Sequence, residues 1–297
     1  MLSRMSHVAC RMSRFLLILS AVVFALTFIL SMALVMVHPS MIANPQNVAG
    51  TWREHRMIAH ALGGIDGYDY TNSLEVFKRS LDMGFVVFEV DLRLIAGDEL
   101  VAMHSLGRYN RITGQSFRCL TDITLEHFLS TPIRGRFTPI TWETVAEIMR
   151  DNPHIYMIID GKYATRDLVI RQYEILVETA KQVDPEILLR IIPQVYNRSM
   201  LEWIQSVHEF QEVKFTRYQE LFLMSPAVIR FVRDNPVITN VGIPDWRVFN
   251  SRFARRLQNL GVTLTAHTIN SEAKIHRLVR RGVWSFYTDF LPPNLLY

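Results

Sequence analysis

Four side chains capable of acid–base or metal-binding chemistry lie within residues 60–104. His60 ends one short apolar run and His104 ends another, while Glu89 and Asp91 lie in an apolar, β-branched and aromatic segment that predicts a buried strand. Because alternate side chains of a strand share a face, the two carboxylates point the same way. Their repulsion and desolvation cost several kcal/mol unless a cation neutralises them. Two imidazoles and a carboxylate pair at strand ends therefore indicate an active site.

A third acidic residue, Asp160, ends a later apolar run and is followed two positions on by Lys162. With Glu89 and Asp91 it completes an oxygen-ligand set suited to one Mg²⁺ or Ca²⁺ ion. Lys162 can place an ammonium near an anionic group of a substrate. The two histidines then form a general acid and base pair near neutral pH, with the assignment of acid and base left open. This combination suits cleavage of a phosphodiester.

Each of these signals also has a purely structural interpretation. A histidine at a strand end is more often structural than catalytic, and a Glu-x-Asp pair is often solvated or salt-bridged. Asp160 and Lys162 could form a simple ion pair. The functional interpretation therefore depends on all of these side chains sharing one face of one domain.

Apolar runs alternate with amphipathic stretches from Arg56 to the C-terminus. The predicted strands are residues 57–60, 85–91, 155–160, 188–193, 212–216, 237–243, 263–267 and 284–288. The predicted helices are residues 72–83, 141–150, 165–183, 199–210, 225–233, 250–260 and 271–280. Repeated strand–helix alternation predicts a parallel sheet, and eight strands in this length indicate a closed (β/α)8 TIM barrel.

A ninth apolar run, residues 100–104, follows the second strand too closely for a parallel crossover. Gly97 and Asp98 indicate a turn, so this run is predicted to double back as a hairpin and return His104 to the barrel mouth. Residues 106–139 are predicted to be an irregular insertion over the mouth, with a short helix near 124–129. Barrel active sites form at the carboxyl ends of the strands. The polar side chains predicted there are His60, Glu89, Asp91, Asp160, Gln194 and His267.

The first part of the chain has the composition of a membrane anchor. Residues 15–37 contain no charged side chain and are long enough to span a bilayer as one helix. Arg4, Arg11 and Arg14 precede this segment, and the next arginine or lysine is Arg53, which predicts a cytoplasmic N-terminus and an extracytoplasmic barrel. A cleaved signal peptide is the competing interpretation. The predicted organisation is a cytoplasmic N-terminus (1–14), a transmembrane anchor (15–37), a linker (38–55) and the barrel (56–297).

Composition excludes several other classes of protein. The net charge is only +4, and no lysine-rich run or basic stripe interleaved with aromatic residues predicts binding to nucleic acid. The two cysteines, Cys10 and Cys119, provide neither a disulfide framework nor a zinc-binding spacing. Cys119 is predicted to be a small buried apolar residue.

The order and spacing of these motifs resemble the glycerophosphodiester phosphodiesterase family, and more broadly the related barrels of the phosphoinositide-specific phospholipases C and sphingomyelinase-D-like enzymes. The resemblance extends from His60 to about Pro292. It rests on His60, Asn72, Glu89-Val90-Asp91, His104, Asp160-Gly161-Lys162, His267-Thr268-Ile269-Asn270 and Thr288-Asp289. It implies a divalent metal on the three acids and acid–base roles for the two histidines. The predicted substrate contacts are Lys162, Asn72 and His267.

The chain departs from the family pattern at four places. The family's His-Arg-Gly is His60-Ala61-Leu62 here, so the arginine expected near the phosphate is missing. Pro-Glu-Asn becomes Tyr70-Thr71-Asn72, His-Asp becomes His104-Ser105, and Asp160 replaces a glutamate. Candidates for the missing phosphate contact are Arg93, Arg108 and His267. These changes leave acid–base and metal chemistry possible, but they leave the substrate open.

The sequence thus predicts metal-assisted hydrolysis of a phosphodiester outside the cytoplasm, with a glycerophosphodiester or a phospholipid head group as substrate. Attack by an internal hydroxyl of the substrate, giving a cyclic phosphate, is compatible with two histidines. The loss of the family arginine motivates an alternative, a non-catalytic barrel that binds a cell-envelope component or a partner protein. A further alternative is a metal-independent, phospholipase-like lyase.

Overall fold

The structure is a computed structural model that describes residue 48 and residues 50–216, 225–248 and 251–296. The predicted cytoplasmic segment (1–14), the predicted anchor (15–37) and most of the predicted linker lie outside these residues. Among the helices that the structure describes, none is both long and apolar enough to cross a bilayer.

Eight parallel strands close into a barrel. In chain order, including one hairpin strand (β3), they are β1 (Met57–Ala59), β2 (Val87–Leu94), β3 (Leu100–Ala102), β4 (Tyr156–Asp160), β5 (Ile191–Val195), β6 (Val213–Thr216), β7 (Ile238–Pro244), β8 (Thr263–His267) and β9 (Ser285–Thr288). Neighbouring barrel strands are parallel, and β1 pairs with both β2 and β9, so the sheet has no open edge between its first and last strands. The predicted (β/α)8 barrel is therefore confirmed.

Helices surround the strands in the expected alternation. They are α1 (Leu74–Asp82), α2 (Leu106–Thr113), α3 (Leu125–Ser130), α4 (Trp142–Asp151), α5 (Arg166–Val183), α6 (Arg198–Val207), α7 (Ser225–Asp234), α8 (Ser251–Gln258) and α9 (Glu272–Val279). The apolar faces of α1, α4 and α5 pack on the barrel through large buried side chains such as Phe77, Trp142 and Tyr173. Strand β5 begins at Ile191, three residues later than predicted, because Pro185–Arg190 form a 3-10 helix ahead of it.

The predicted hairpin is present. Strand β3 runs antiparallel to β2, with Leu92 opposite Ala102, and the Met103 amide donates to the carbonyl of Asp91 at 2.9 Å. This pairing returns His104 to the end of β2. The insertion that follows is more helical than predicted, since α2 begins at the Ser105 N-cap and ends at the left-handed Gly114. Cys119, predicted to be buried, is exposed in this insertion.

The inward face of the barrel changes from apolar to acidic toward the mouth. Val87 and Ile158 belong to an apolar layer inside the barrel. Because side chains alternate along a strand, Glu89 and Asp91 share the inward face of Val87, and Asp160 shares that of Ile158. The strand period therefore places all three acids on the inward side of the barrel, above its apolar floor.

Candidate active site

Three buried carboxylates form the centre of the site. Glu89, Asp91 and Asp160 are 2%, 0% and 3% exposed, and one oxygen from each lies within 4.8 Å of the others. Asp91 and Asp160 face each other because their Cα positions are paired across β2 and β4. The structure thus brings together the three acids that the sequence predicts as metal ligands.

Each carboxylate is held by a neutral donor at one oxygen. Glu89 Oε2 accepts the backbone N–H of Ala61 at 2.7 Å. Asp91 Oδ2 accepts the side-chain amide of Asn72 at 3.0 Å. The third acid is bound in the same way: Asp160 Oδ1 accepts the hydroxyl of Tyr196. One oxygen of each carboxylate is therefore fixed, and the other is left for a charged partner.

Lys162 supplies positive charge to two of the three acids. Its ammonium lies 2.8 Å from Asp91 Oδ1 and also contacts Asp160. Burial opposes the charged form of Lys162, but the Asp160 and Asp91 carboxylates outweigh it and hold the lysine pKa well above its usual range. Although burial works against it, Lys162 also lowers the pKa of Asp91 to about 2. Burial and the charge of Asp91 raise the pKa of Glu89 to about 8.

This donor set fits a hard divalent cation. Within the part of the chain that the structure describes, Lys162 is the one ammonium in contact with any of the three acids, so negative charge remains in excess at a buried position. Oxygen ligands in this number, with further positions left for water or substrate oxygens, are those that Mg²⁺ and Ca²⁺ prefer. The outer hydrogen bonds from Ala61, Asn72 and Tyr196 orient the carboxylates, as such partners do at metal sites.

His60 is positioned by an acidic partner from the other end of the chain. Its Nδ1 lies 2.8 Å from Asp289 Oδ1, and the Asn270 side-chain amide donates to Asp289 Oδ2 at 2.6 Å. The carbonyl oxygen of the Asn270 amide accepts the Asp289 backbone N–H at 2.8 Å. Burial acts against protonation, but the hydrogen bond to Asp289 and the nearby carboxylates raise the pKa of His60.

His104 has a different environment at the end of the hairpin. Its Nδ1 is buried and makes no hydrogen bond with the residues that the structure describes. Burial lowers the pKa of His104 against the attraction of Asp91. Arg93 holds the backbone here, because its guanidinium donates to the carbonyls of His104 at 3.3 Å and Lys162 at 2.9 Å. The two histidines thus differ in both partner and direction of pKa shift.

A cavity of about 320 Å³ connects these groups. It is lined by His60, Glu89, His104, Asp160, Lys162 and His267, together with Tyr70, Gln194, Tyr196 and Tyr287. Burial and the positive charge of Lys214 lower the pKa of His267 to about 3, so this imidazole is neutral. The predicted site residues Asp91 and Asn72 lie beside the cavity, where Asn72 positions Asp91.

Sequence analysis missed the tyrosines and the acid–histidine pair. Tyr70 contacts both catalytic candidates, with its ring centroid 4.4 Å from that of His60 and 4.8 Å from that of His104. Tyr196 holds Asp160, and Asp289 holds His60. Asp289 belongs to the Thr288-Asp289 motif, which is a signal that could have suggested a role in the site. For Tyr70 and Tyr196 the sequence offers no comparable signal.

Comparison with known proteins gives one family. The model of the glycerophosphoryl diester phosphodiesterase family matches residues 64–292, a segment that contains every site residue named above except His60 and Ala61. This chain belongs to that family. It is therefore a phosphodiesterase by family, which confirms both the predicted resemblance and the predicted enzyme class.

Individual relatives are distant in sequence but similar in fold. A glycerophosphodiester phosphodiesterase of Bacillus subtilis (strain 168) is 22% identical over 294 residues, covering 91% of this chain and 95% of that protein. A glycerophosphodiester phosphodiesterase structure from Parabacteroides distasonis has a TM-score of 0.64 at 18% identity, covering 81% of this chain and 94% of the other. A phosphodiesterase from Oleispira antarctica, in complex with its product sn-glycerol-3-phosphate, has a TM-score of 0.65 at 17% identity and covers 81% and 94%. At these identities the structures show the shared fold.

The carboxylate geometry predicts which substitutions weaken metal binding. Asp91→Asn and Asp160→Asn each remove the charge of a predicted metal ligand, and Asn72→Ala removes the donor that orients Asp91. We expect each to lower the affinity for Mg²⁺ or Ca²⁺ at least about tenfold, the lower limit for loss of an outer partner. Isothermal titration of the purified full-length protein measures this affinity. Asp167→Asn, at a side chain that is 96% exposed, is the matched control. Equal affinities in all four variants would contradict the metal assignment.

Proposed function

We propose that this protein hydrolyses a phosphodiester with the assistance of one divalent cation, Mg²⁺ or Ca²⁺. The observation that carries the proposal is that three buried carboxylates lie together in or beside one cavity at the barrel mouth, which the Lys162 ammonium and the imidazoles of His60 and His104 also line. Family membership supplies the reaction class. A cation held by Glu89, Asp91 and Asp160 would offset the negative charge of the phosphoryl oxygens.

The size and polarity of the cavity support a small substrate. Its volume of about 320 Å³ lies at the lower end of the range for ligand pockets, about 300–1,000 Å³. A glycerophosphodiester or the head group of a phospholipid suits this size better than an extended envelope polymer. The related Oleispira antarctica enzyme, whose structure contains sn-glycerol-3-phosphate, supports a substrate that carries a glycerophosphate group.

We assign opposite proton-transfer roles to the two histidines. His60 is the general acid, because its bond to Asp289 favours the protonated ring, and it donates this proton to the leaving oxygen. His104 is the general base, because burial favours its neutral form, and it accepts a proton from the attacking water or from a substrate hydroxyl. Lys162 stabilises the acids in the free protein and contributes positive charge at the cavity wall. His267 remains a predicted substrate contact. Asn72, predicted as another, lies beside the cavity, and we assign it the role of positioning Asp91.

Substitution of either histidine tests the proposed chemistry. We expect His60→Ala and His104→Ala each to reduce turnover at least ~100-fold, the contribution typical of general acid–base catalysis. Turnover of the full-length protein on a phosphodiester panel, including glycerophosphocholine, measures this with Mg²⁺, with Ca²⁺ and with chelator. His127→Ala, an alteration in the insertion away from the cavity, is the control. Wild-type turnover in a folded His104→Ala variant would contradict the proposed acid–base mechanism. Turnover of the wild-type protein that persists in chelator would favour the metal-independent lyase.

The different pKa directions of the histidines predict a bell-shaped pH profile. The pKa of His104 lies below the ordinary value of 6.5, so on raising the pH this residue has already lost its proton and can act as a base before pH 6.5 is reached. The pKa of His60 lies above 6.5, so His60 keeps its acidic proton until the pH is higher. As the pH increases, kcat/KM should therefore rise below pH 6.5, where His104 loses its proton, and fall above pH 6.5, where His60 loses its proton. Asp289→Asn removes the carboxylate that raises the His60 pKa, so the alkaline limb of kcat/KM should move to lower pH. An alkaline limb at the same pH in this variant would contradict the assignment of His60 as the acid.

We propose that the barrel works outside the cytoplasm, anchored by residues 15–37. The support is the uncharged segment and the arginines that precede it. Protease added outside wall-stripped cells should digest the barrel of the full-length protein, and deletion of residues 1–37 should retain it in the soluble cytoplasmic fraction. A barrel that resists the protease as well as a cytoplasmic marker protein does would contradict this orientation.

A further inference from the structure

The position after His60 cannot supply the phosphate contact that the family arginine provides. Ala61 is completely buried, and its backbone N–H is bound to Glu89 at 2.7 Å. Its side chain is a methyl group with neither a hydrogen-bond donor nor a charge. A substrate phosphoryl group must therefore find its donors elsewhere on the cavity wall.

Of the three candidates that the sequence offers, none lines the cavity as a cation. The Arg93 guanidinium is directed to the backbone carbonyls of His104 and Lys162 and does not line the cavity. His267 lines the cavity but is neutral, because burial lowers its pKa to about 3. Arg108 lies one layer behind the wall, where its guanidinium carbon is 4.0 Å from the centre of the Tyr70 ring.

Tyr70 lines the cavity wall next to both His60 and His104. Its ring meets the rings of His60 and His104 edge-on, at interplanar angles of 82° and 79°. The backbone of Tyr70 is left-handed, with φ of 52°, a conformation that is uncommon for a bulky residue. This conformation and the arginine stacked on the ring hold Tyr70 against both imidazoles.

The Tyr70 hydroxyl differs from those of the other cavity tyrosines. Tyr196 donates its hydroxyl to Asp160, and Tyr287 donates to Gln194 at 3.2 Å. The Tyr70 hydroxyl makes no hydrogen bond with the residues that the structure describes. A phenolic O–H that is retained on a polar cavity wall without a protein acceptor is available to an anionic ligand, and hydrogen bonds to charged oxygens are the stronger kind.

We propose that the Tyr70 hydroxyl binds a phosphoryl oxygen of the substrate, and that Arg108 positions the ring and contributes positive charge behind it. Together they replace the donor and the charge of the missing arginine. Arg108 is itself held by Asp69, at 3.4 Å from its Nη1, and its stacking on the ring is a cation–π contact. This inference rests on the proposed phosphodiester hydrolysis and assigns a further substrate-binding residue to the same cavity.

Removal of one hydroxyl group tests the inference. Tyr70→Phe keeps the ring, its contacts with both histidines and the arginine stacked on it. In the full-length protein we expect kcat/KM for the best substrate of the phosphodiester panel to fall roughly 10- to 100-fold, the loss expected for a hydrogen bond to a charged group. Calorimetric titration with inorganic phosphate should show a loss of affinity of the same order.

The chain provides a matched control on the same loop. Tyr68 is also covered by an arginine, Arg134, whose guanidinium carbon lies 4.2 Å from the ring centre, but it does not line the cavity. Tyr68→Phe should therefore keep wild-type kcat/KM and phosphate affinity. Arg108→Met should reduce both quantities, and its effect should be smaller in the Tyr70→Phe background, because a positioning residue acts through the group that it positions.

The outcomes separate this inference from the proposed function. Wild-type kcat/KM and phosphate affinity in Tyr70→Phe would overturn the inference and leave the ring with a packing role, while phosphodiester hydrolysis itself would stand. If the wild-type protein binds phosphate but cleaves no diester in the panel, the phosphate affinity of Tyr70→Phe alone tests the role of the hydroxyl. A lower affinity would support the inference, and an unchanged affinity would overturn it. A wild-type protein that neither binds phosphate nor cleaves any diester would overturn both proposals.

Discussion

Three carboxylates are buried together at one end of the barrel, and their charge governs how the surrounding side chains are arranged. A buried charge costs several kcal/mol unless it is paired and hydrogen-bonded. Glu89, Asp91 and Asp160 each receive one neutral hydrogen bond, and Lys162 is shared by the two aspartates. One ammonium against three acids leaves an excess of negative charge, and a divalent cation is the natural partner of such a cluster.

Closure of the barrel brings His60 to an acidic partner from the other end of the chain. His60 follows the first strand and Asp289 follows the last, so their 2.8 Å contact exists only because β1 pairs with β9. The hairpin of β3 on β2 places His104 by a separate and local route. The two imidazoles therefore have different partners, which explains why their pKa values move in opposite directions.

Several residues of the site have left-handed backbone conformations. Positive φ occurs at Ala61, Tyr70, Asn72 and Lys162. Such conformations cost of order 1–3 kcal/mol for residues other than glycine, and they persist where the surrounding structure holds them. At this site they are held by the Glu89 and Asp91 hydrogen bonds, by the Arg108 stack and by the two ion pairs of Lys162. The acidic cluster thus stabilises the backbone geometry that surrounds it.

The barrel, the inward face of the acids and the return of His104 could be predicted from the sequence, because these follow from strand alternation and from a turn between two apolar runs. The sequence also placed His60 and Lys162 at strand ends. The folded barrel was needed to show four further contacts: Asp289 binds His60, Asn72 positions Asp91, Arg93 is directed to backbone carbonyls and Tyr70 faces both histidines. Local periodicity fixes which face of a strand a side chain occupies. Contacts between loops far apart in the chain depend on how the barrel closes, and no short sequence pattern contains that information.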